Sequence, residues 1–160
     1  MKALIVYDSE FGNTERAAKT IGSSLGSQEE VMVKRVGEVK MEDLEGIELV
    51  VVGSPTQRFR PTPATKDFLK RIPSNGLQGI RAAAFDTRLT EEEFETTRIG
   101  SFFVGIFGYA AQPIANELKK KGGQMAGSAE GFYVQGVEGP LVEGELERAA
   151  TWAGQIVNMK

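Results

Sequence analysis

The chain has 160 residues and a formal charge of −3, with apolar and charged fractions ordinary for a folded globular protein. That length fits one domain with a substantial core, and the mild acidity argues against non-specific nucleic-acid binding, which needs a dense basic surface. Cysteine and histidine are both absent, which excludes disulfides, iron–sulfur clusters, a thiolate nucleophile and an imidazole base or metal ligand, so any redox chemistry must borrow an organic cofactor.

Ala3 to Tyr7 is a continuous apolar run, as expected of a strand buried on both faces. A turn follows over Asp8 to Thr14. Ala17, Ala18, Ile21 and Leu25 then recur at helical spacing, with Gly26 closing the helix. Val31, Val33 and Arg35 lie on one side of a more polar, edge-type strand. Ile47 to Val52 is a third apolar run, ending at Gly53-Ser54-Pro55. The polar loop Thr56 to Pro63 leads into a short helix carrying Phe68, Leu69 and Ile72. Arg81 to Phe85 reads as a fourth strand.

Thr90 to Thr97 is charged, and Phe102 to Phe107 form an apolar cluster expected to pack on the core; the other role open to the cluster is an interface patch. Ala111, Ile114, Ala115 and Leu118 mark a helix that stops at Gly122-Gly123. A fifth strand lies within Gln124 to Gln135, interrupted around Gly127 to Gly131. Leu146, Ala149, Ala150, Ala153, Ile156 and Val157 mark the last helix.

Strands alternating with helices at this interval imply βαβ units and a parallel sheet covered on both faces. Without repeats or linkers, residues 1–160 are expected to form a single doubly wound α/β domain, with right-handed crossovers. The N-terminal apolar run is too short for a signal peptide, and no apolar stretch approaches the ~20 residues of a membrane span. The expectation is a cytoplasmic protein.

In such sheets ligands sit at the carboxyl ends of the strands. The first loop there is Ser9-Glu10-Phe11-Gly12-Asn13-Thr14. Ser9, Asn13 and Thr14 can donate hydrogen bonds, Gly12 permits close backbone approach, and the following helix start offers free N–H groups, together an anion site suited to a phosphate. The loop is neither a Walker loop nor a dinucleotide fingerprint. The plainer role for the same residues is a strand-to-helix turn with an ordinary cap.

Ile5-Val6-Tyr7, Ser9, Gly12, Thr14, Ala18 and Ile21 fall at the spacings of the flavodoxin signature, and the chain resembles that family. The resemblance implies a three-layer α/β/α fold with a five-stranded parallel sheet in the order 2-1-3-4-5. It also implies FMN as cofactor, its phosphate wrapped by Ser9 through Thr14. Two further loops are implied to flank the flavin ring. In the first, Ser54, Pro55, Thr56, Gln57, Arg58 and Phe59, polar contacts come from Ser54, Thr56 and Gln57. Phe59 there either stacks on the ring or anchors the loop to the core. The second is Asp86, Thr87 and Arg88, where many flavodoxins carry a stacking tyrosine that this chain lacks.

Arg58, Arg60 and Arg88 on these loops suggest a hypothesis about potential. A positive charge about 4 Å from the ring is worth ~1 to ~4 kcal/mol, or ~40 to ~170 mV for one electron. The final reduction step is then expected to be less negative than in acidic flavodoxins, unless the three arginines point into solvent.

The resemblance therefore implies an FMN-binding flavoprotein for electron transport, passing electrons to or from redox partner proteins, with no catalytic residue and no metal. The alternative is an FMN-dependent oxidoreductase of quinone or protoporphyrinogen type on the same fold, with Tyr109 or Arg88 assisting the substrate.

Overall fold

The computed structural model describes residues 1–90, 92–93 and 109–159. Phe102–Phe107 and most of Thr90–Thr97 lie outside the described residues. In chain order the elements are β1 (Ala3–Tyr7), α1 (Asn13–Leu25), β2 (Val31–Arg35), two short 3-10 turns (Val36–Glu38 and Met41–Leu44), β3 (Leu49–Pro55), α2 (Pro63–Arg71), β4 (Arg81–Leu89), α3 (Ala111–Lys120), β5 (Gln124–Met125), β6 (Glu130–Val134) and α4 (Glu145–Asn158).

The strands form one parallel sheet in the order β2-β1-β3-β4-β5, with β6 also on β4. β5 pairs with Arg81 and Ala82, while β6 pairs with Phe85 through Leu89. The fifth position of the sheet is thus filled by two short pieces, interrupted between Met125 and Glu130.

Side chains alternate across the buried strands and build two cores. Ile5, Leu49, Val51, Ala83 and Phe85 pack with Ala17 and Ile21 of α1 and Trp152 and Ile156 of α4. Leu4, Val6, Val50 and Val52 point the other way, onto Phe68 and Leu69 of α2 and Ile114 and Leu118 of α3. This is the three-layer α/β/α arrangement, with each fully buried aliphatic side chain worth about 1.5 to 3 kcal/mol. On the α1/α4 side, Phe85, Phe132 and Trp152 meet edge to face, their ring centres 5.8 to 6.1 Å apart, a geometry aromatic quadrupoles favour. No helix among the described residues is long and apolar enough to cross a membrane.

Two strands run further than their apolar patterns. β3 continues through Gly53-Ser54-Pro55 and β4 through Asp86-Thr87-Arg88-Leu89, and these extensions pair with each other, Gly53 with Phe85, Ser54 with Asp86 and Pro55 with Thr87. The segment Asp86–Arg88, expected as a loop, is strand. Its polar side chains are tolerated because each finds a partner, and β6 supplies a second ladder.

Candidate functional site

The crevice opens at the carboxyl ends of β1, β3 and β4, where the strand order reverses between β1 and β3. Its first wall is the loop from Ser9 to Thr14. Ser9 Oγ accepts a hydrogen bond from the Gly12 N–H at 3.1 Å, closing the turn. Gly12 takes φ 91°, a left-handed conformation that glycine adopts without steric cost.

Gly12 is also the residue preceding α1, and the helix has no side-chain cap. The N–H groups of its first turn therefore remain available at the crevice, where the helix dipole favours an anion. Ser9, Asn13 and Thr14 are all buried around this point.

Four contacts fix the loop. Asn13 Nδ2 donates to the Glu138 carbonyl at 3.1 Å. The Thr14 and Thr87 hydroxyls lie 2.8 Å apart, tying α1 to β4. Arg35, at the end of β2, donates to the Ser9 carbonyl at 2.9 Å. Gln57 Nε2 donates to the Glu10 carboxylate at 2.6 Å, bridging to the second wall.

That second wall follows β3. The Thr56 N–H donates to the Thr87 carbonyl at 2.9 Å, and Gln57 and Arg60 exchange two backbone hydrogen bonds of 2.9 Å. The turn between them places Arg58 at φ 49° and Phe59 at φ 66°. Two successive non-glycine residues in the left-handed region cost roughly 1 to 2 kcal/mol each.

The third wall is the extended end of β4. Thr87 faces α1. Asp86 and Arg88 face the opposite layer, where Arg88 Nε and its terminal nitrogen hold the two Asp86 carboxylate oxygens at 2.6 and 2.8 Å. Asp86 is fully buried. It also accepts the Ala111 N–H at the start of α3 at 2.8 Å and a hydrogen bond from the Thr56 hydroxyl. Burial pushes the Asp86 carboxyl above the usual aspartate range, against the opposing pull of Arg88, Ala111 and Thr56.

The Arg88 guanidinium lies 3.7 Å from the centre of the Tyr109 ring, a cation–π contact. It passes over Gly131 of β6, where a Cβ would come within 2.1 Å of Arg88 Nε. The Arg88 charge is therefore paired and largely enclosed, unlike the free charge that the potential hypothesis requires.

The structure brings most of the sequence-derived candidates to one crevice of about 220 Å³: Ser9, Glu10, Phe11, Asn13 and Thr14, then Pro55, Thr56 and Gln57, then Thr87 and Arg88. Gly12 shapes the turn instead. Ser54 is fully buried, its hydroxyl accepting the Thr62 N–H at 3.0 Å. Asp86 lies beneath the crevice, and Arg58 and Phe59 do not line it; Arg58 lines a neighbouring groove.

Three lining residues escaped the sequence reading: Leu89, Val134 and Val137. Leu89 belongs to the extension of β4 that its apolar run did not mark, and Val134 ends β6, inside the expected fifth strand but not singled out as lining the site. Val137 sits in the Gly-rich loop after β6, with 73% of its surface exposed, and Phe11 opposite is 47% exposed. Two apolar side chains thus stand in water at the rim.

A doubly wound parallel sheet, a helix start left uncapped and a crevice at the switch in strand order define a class, the open α/β proteins that hold a ligand outside the strand ends. The flavodoxin family model matches residues 5–152, and the chain belongs to the flavodoxin family. Membership brings a flavin-binding electron-transfer role.

Among solved structures, the chain is similar to a flavodoxin from the domain Archaea, at 24% identity and a TM-score of 0.75, covering 98% of this chain and 96% of that one. It is also similar to oxidised flavodoxin 1 from Bacillus cereus, at 18% identity and a TM-score of 0.77, covering 100% and 99%. A third is rubredoxin oxygen:oxidoreductase from Desulfovibrio gigas, at 22% identity and a TM-score of 0.70, where the match covers 97% of this chain but 35% of that one. At these identities the likeness establishes the fold. No curated protein matches the chain by sequence.

Proposed function

We propose that the chain is a single-domain, cytoplasmic electron carrier that holds FMN in the crevice and passes electrons to or from protein partners. The observation that carries this reading is the uncapped start of α1, enclosed by the buried residues Ser9, Asn13 and Thr14 at the mouth of the crevice. Backbone N–H groups, neutral side-chain donors and the helix dipole suit a phosphate without any cationic ligand.

In this reading Ser9 through Thr14 bind the FMN phosphate, Thr56 and Gln57 border the flavin on one side, and Thr87 and the backbone of Arg88 border it on the other. Bound FMN supplies electron uptake and release. The residues of this chain hold it, orient it and exclude water from its inner edge. Leu89 and Val134 give the crevice an apolar floor, and Phe11 and Val137 extend that apolar surface to its rim, where a partner protein covers them during transfer. Without a histidine or a cysteine, the chain has little provision for acid–base work on a substrate, which favours a carrier over an enzyme.

The test is an absorption titration of the purified protein with FMN, followed by stepwise reduction. Saturable binding below micromolar FMN, with reduction in separate one-electron steps, is expected. No binding at micromolar FMN overturns the reading. Rapid steady-state oxidation of NAD(P)H with a quinone, without any partner reductase, overturns the carrier half of it.

A further inference from the structure

Cations follow one another along one side of the molecule, from the edge of the cofactor crevice to the groove between α2 and α3. Arg58 and Arg60, both exposed, occupy the turn after β3. With Lys66 they line a groove that shares Ser9, Glu10 and Gln57 with the crevice. Pro61 and Lys66 also line the next groove, whose apolar part comes from Pro61, Leu69 and Pro113 and whose rim carries Lys70 and Lys120. The crevice and the two grooves therefore adjoin one another.

Arg58, Arg60, Lys66 and Lys70 make no ion pair among the described residues. Lys120 pairs with Glu117 at 2.9 Å on the exposed surface, an interaction worth little in water. The carboxylates lining the same grooves are Asp8, Glu10 and Glu117. Asp8 is engaged by the Thr62 hydroxyl at 2.6 Å, and Glu10 by Gln57. Five cations against three carboxylates leave an excess of +2 along these two grooves, in a chain whose total is −3. The positive excess adjoins the crevice.

An apolar floor with a charged rim is the anatomy of a protein-docking surface. Opposite charge on the partner steers the encounter and fixes its orientation. We propose that this strip docks an acidic electron-transfer protein beside the cofactor crevice. The inference rests on the FMN reading above. One electron leaves the reduced metal centre of the carrier and enters the flavin, or travels the reverse way; no covalent bond between the two proteins forms or breaks, and any proton taken up by the flavin comes from water.

Two readouts test it, with a small, strongly acidic iron–sulfur carrier protein as probe. In the first, flavin-free protein labelled with 15N is titrated with the carrier at low and high salt. Amide shifts are expected from Arg58 through Lys70 and around Lys120. A Lys66→Glu/Lys70→Glu variant, checked for an unchanged melting temperature, is expected to weaken binding about tenfold or more. In the second, electron transfer from the reduced carrier to FMN-loaded protein is followed by stopped flow. Its rate is expected to fall about tenfold as salt screens the attraction.

Two proteins interacting through net charge alone, both negative, repel each other, so a rate that rises with salt overturns the proposal. Shifts confined to other surfaces, or an unaffected Lys66→Glu/Lys70→Glu variant, also overturn it. So does equally tight binding of a short DNA duplex, which marks a general polyanion surface. If FMN fails to bind, the first readout still decides the docking question by itself.

Discussion

Thr14 and Thr87, 73 positions apart in sequence, share one buried hydrogen bond of 2.8 Å between their hydroxyls. It is the direct side-chain link between the start of α1 and the end of β4, so it holds two walls of the crevice at a fixed separation. Thr87→Val keeps the shape and leaves the Thr14 hydroxyl without that partner, a loss of about 1 to 3 kcal/mol. The Thr14→Val/Thr87→Val double variant is expected to lose less than the two single changes added together. Urea unfolding of the flavin-free proteins measures both, and additive losses would show that the bond has no role in stability.

The paired charge of Arg88 separates it from Arg58. Asp86→Asn leaves the guanidinium without its buried partner, and a cost of about 3 to 5 kcal/mol is expected. Gly131→Ala should destabilise as well, since the added Cβ would meet Arg88 Nε at 2.1 Å. Thermal unfolding checks both.

Arg58 is exposed, makes no ion pair among the described residues and lines the groove beside the crevice, not the crevice itself, so its charge would reach a flavin held there only through solvent screening. Arg58→Glu is expected to lower the potential of the final reduction step slightly, by no more than about 40 mV. Spectroelectrochemistry of the FMN-loaded protein reads the shift, and an unmoved potential would remove arginine from the account of tuning.

Backbone strain at the same turn predicts the opposite sign for stability. Arg58 holds φ 49°, which asparagine accepts more readily than arginine. Arg58→Asn is expected to stabilise the flavin-free protein by about 1 kcal/mol, measurable as a raised melting temperature.

At the other end of β6, Glu145 opens α4 and accepts the Tyr133 N–H at 2.7 Å. Arg148 holds both of its carboxylate oxygens, at 2.9 and 2.7 Å. Burial pushes the carboxyl up, but hydrogen bonds from Arg148 and Tyr133 and the Arg148 charge outweigh it, so Glu145 titrates below the ordinary glutamate range. A depressed value stabilises the fold above the unfolded-state pKa, and that contribution is lost as pH falls through the folded-state value. Glu145→Gln should therefore cost about 1 to 3 kcal/mol at neutral pH and progressively less in acid. Unfolding curves across that range check the convergence.

The sequence carried the central architecture because its signals there are local. Ala3–Tyr7 is apolar without a break, and Ala17, Ala18 and Ile21 mark one face of α1; both elements appear where the pattern places them. The ends of β3 and β4 were not legible in the same way. Asp86-Thr87-Arg88 reads as loop because it is polar, and what makes it strand is distant: Ser54 and Pro55 on one side, Gly131 and Tyr133 on the other. The pairing of Arg88 was hidden with it: Asp86 and Arg88 share a face only once the segment is strand, and Gly131 and Tyr109, which make room for and cover the guanidinium, are distant in sequence. Ser54 has the composition of a ligand contact, but Thr62 already uses its hydroxyl. Val137 gave no local signal, as a single apolar residue in a loop carries no period.

Trp152 is the only tryptophan in the chain, and it rests edge-on against Phe85 of β4, one residue before the buried Asp86. Indole emission overlaps flavin absorption, so the protein contains its own optical reporter. Filling the crevice should quench the fluorescence of this residue, with no label attached and no reporter residue inserted. Because Trp152 sits in the core beneath the site and outside the substitutions considered above, one signal reports both occupancy and unfolding in every variant.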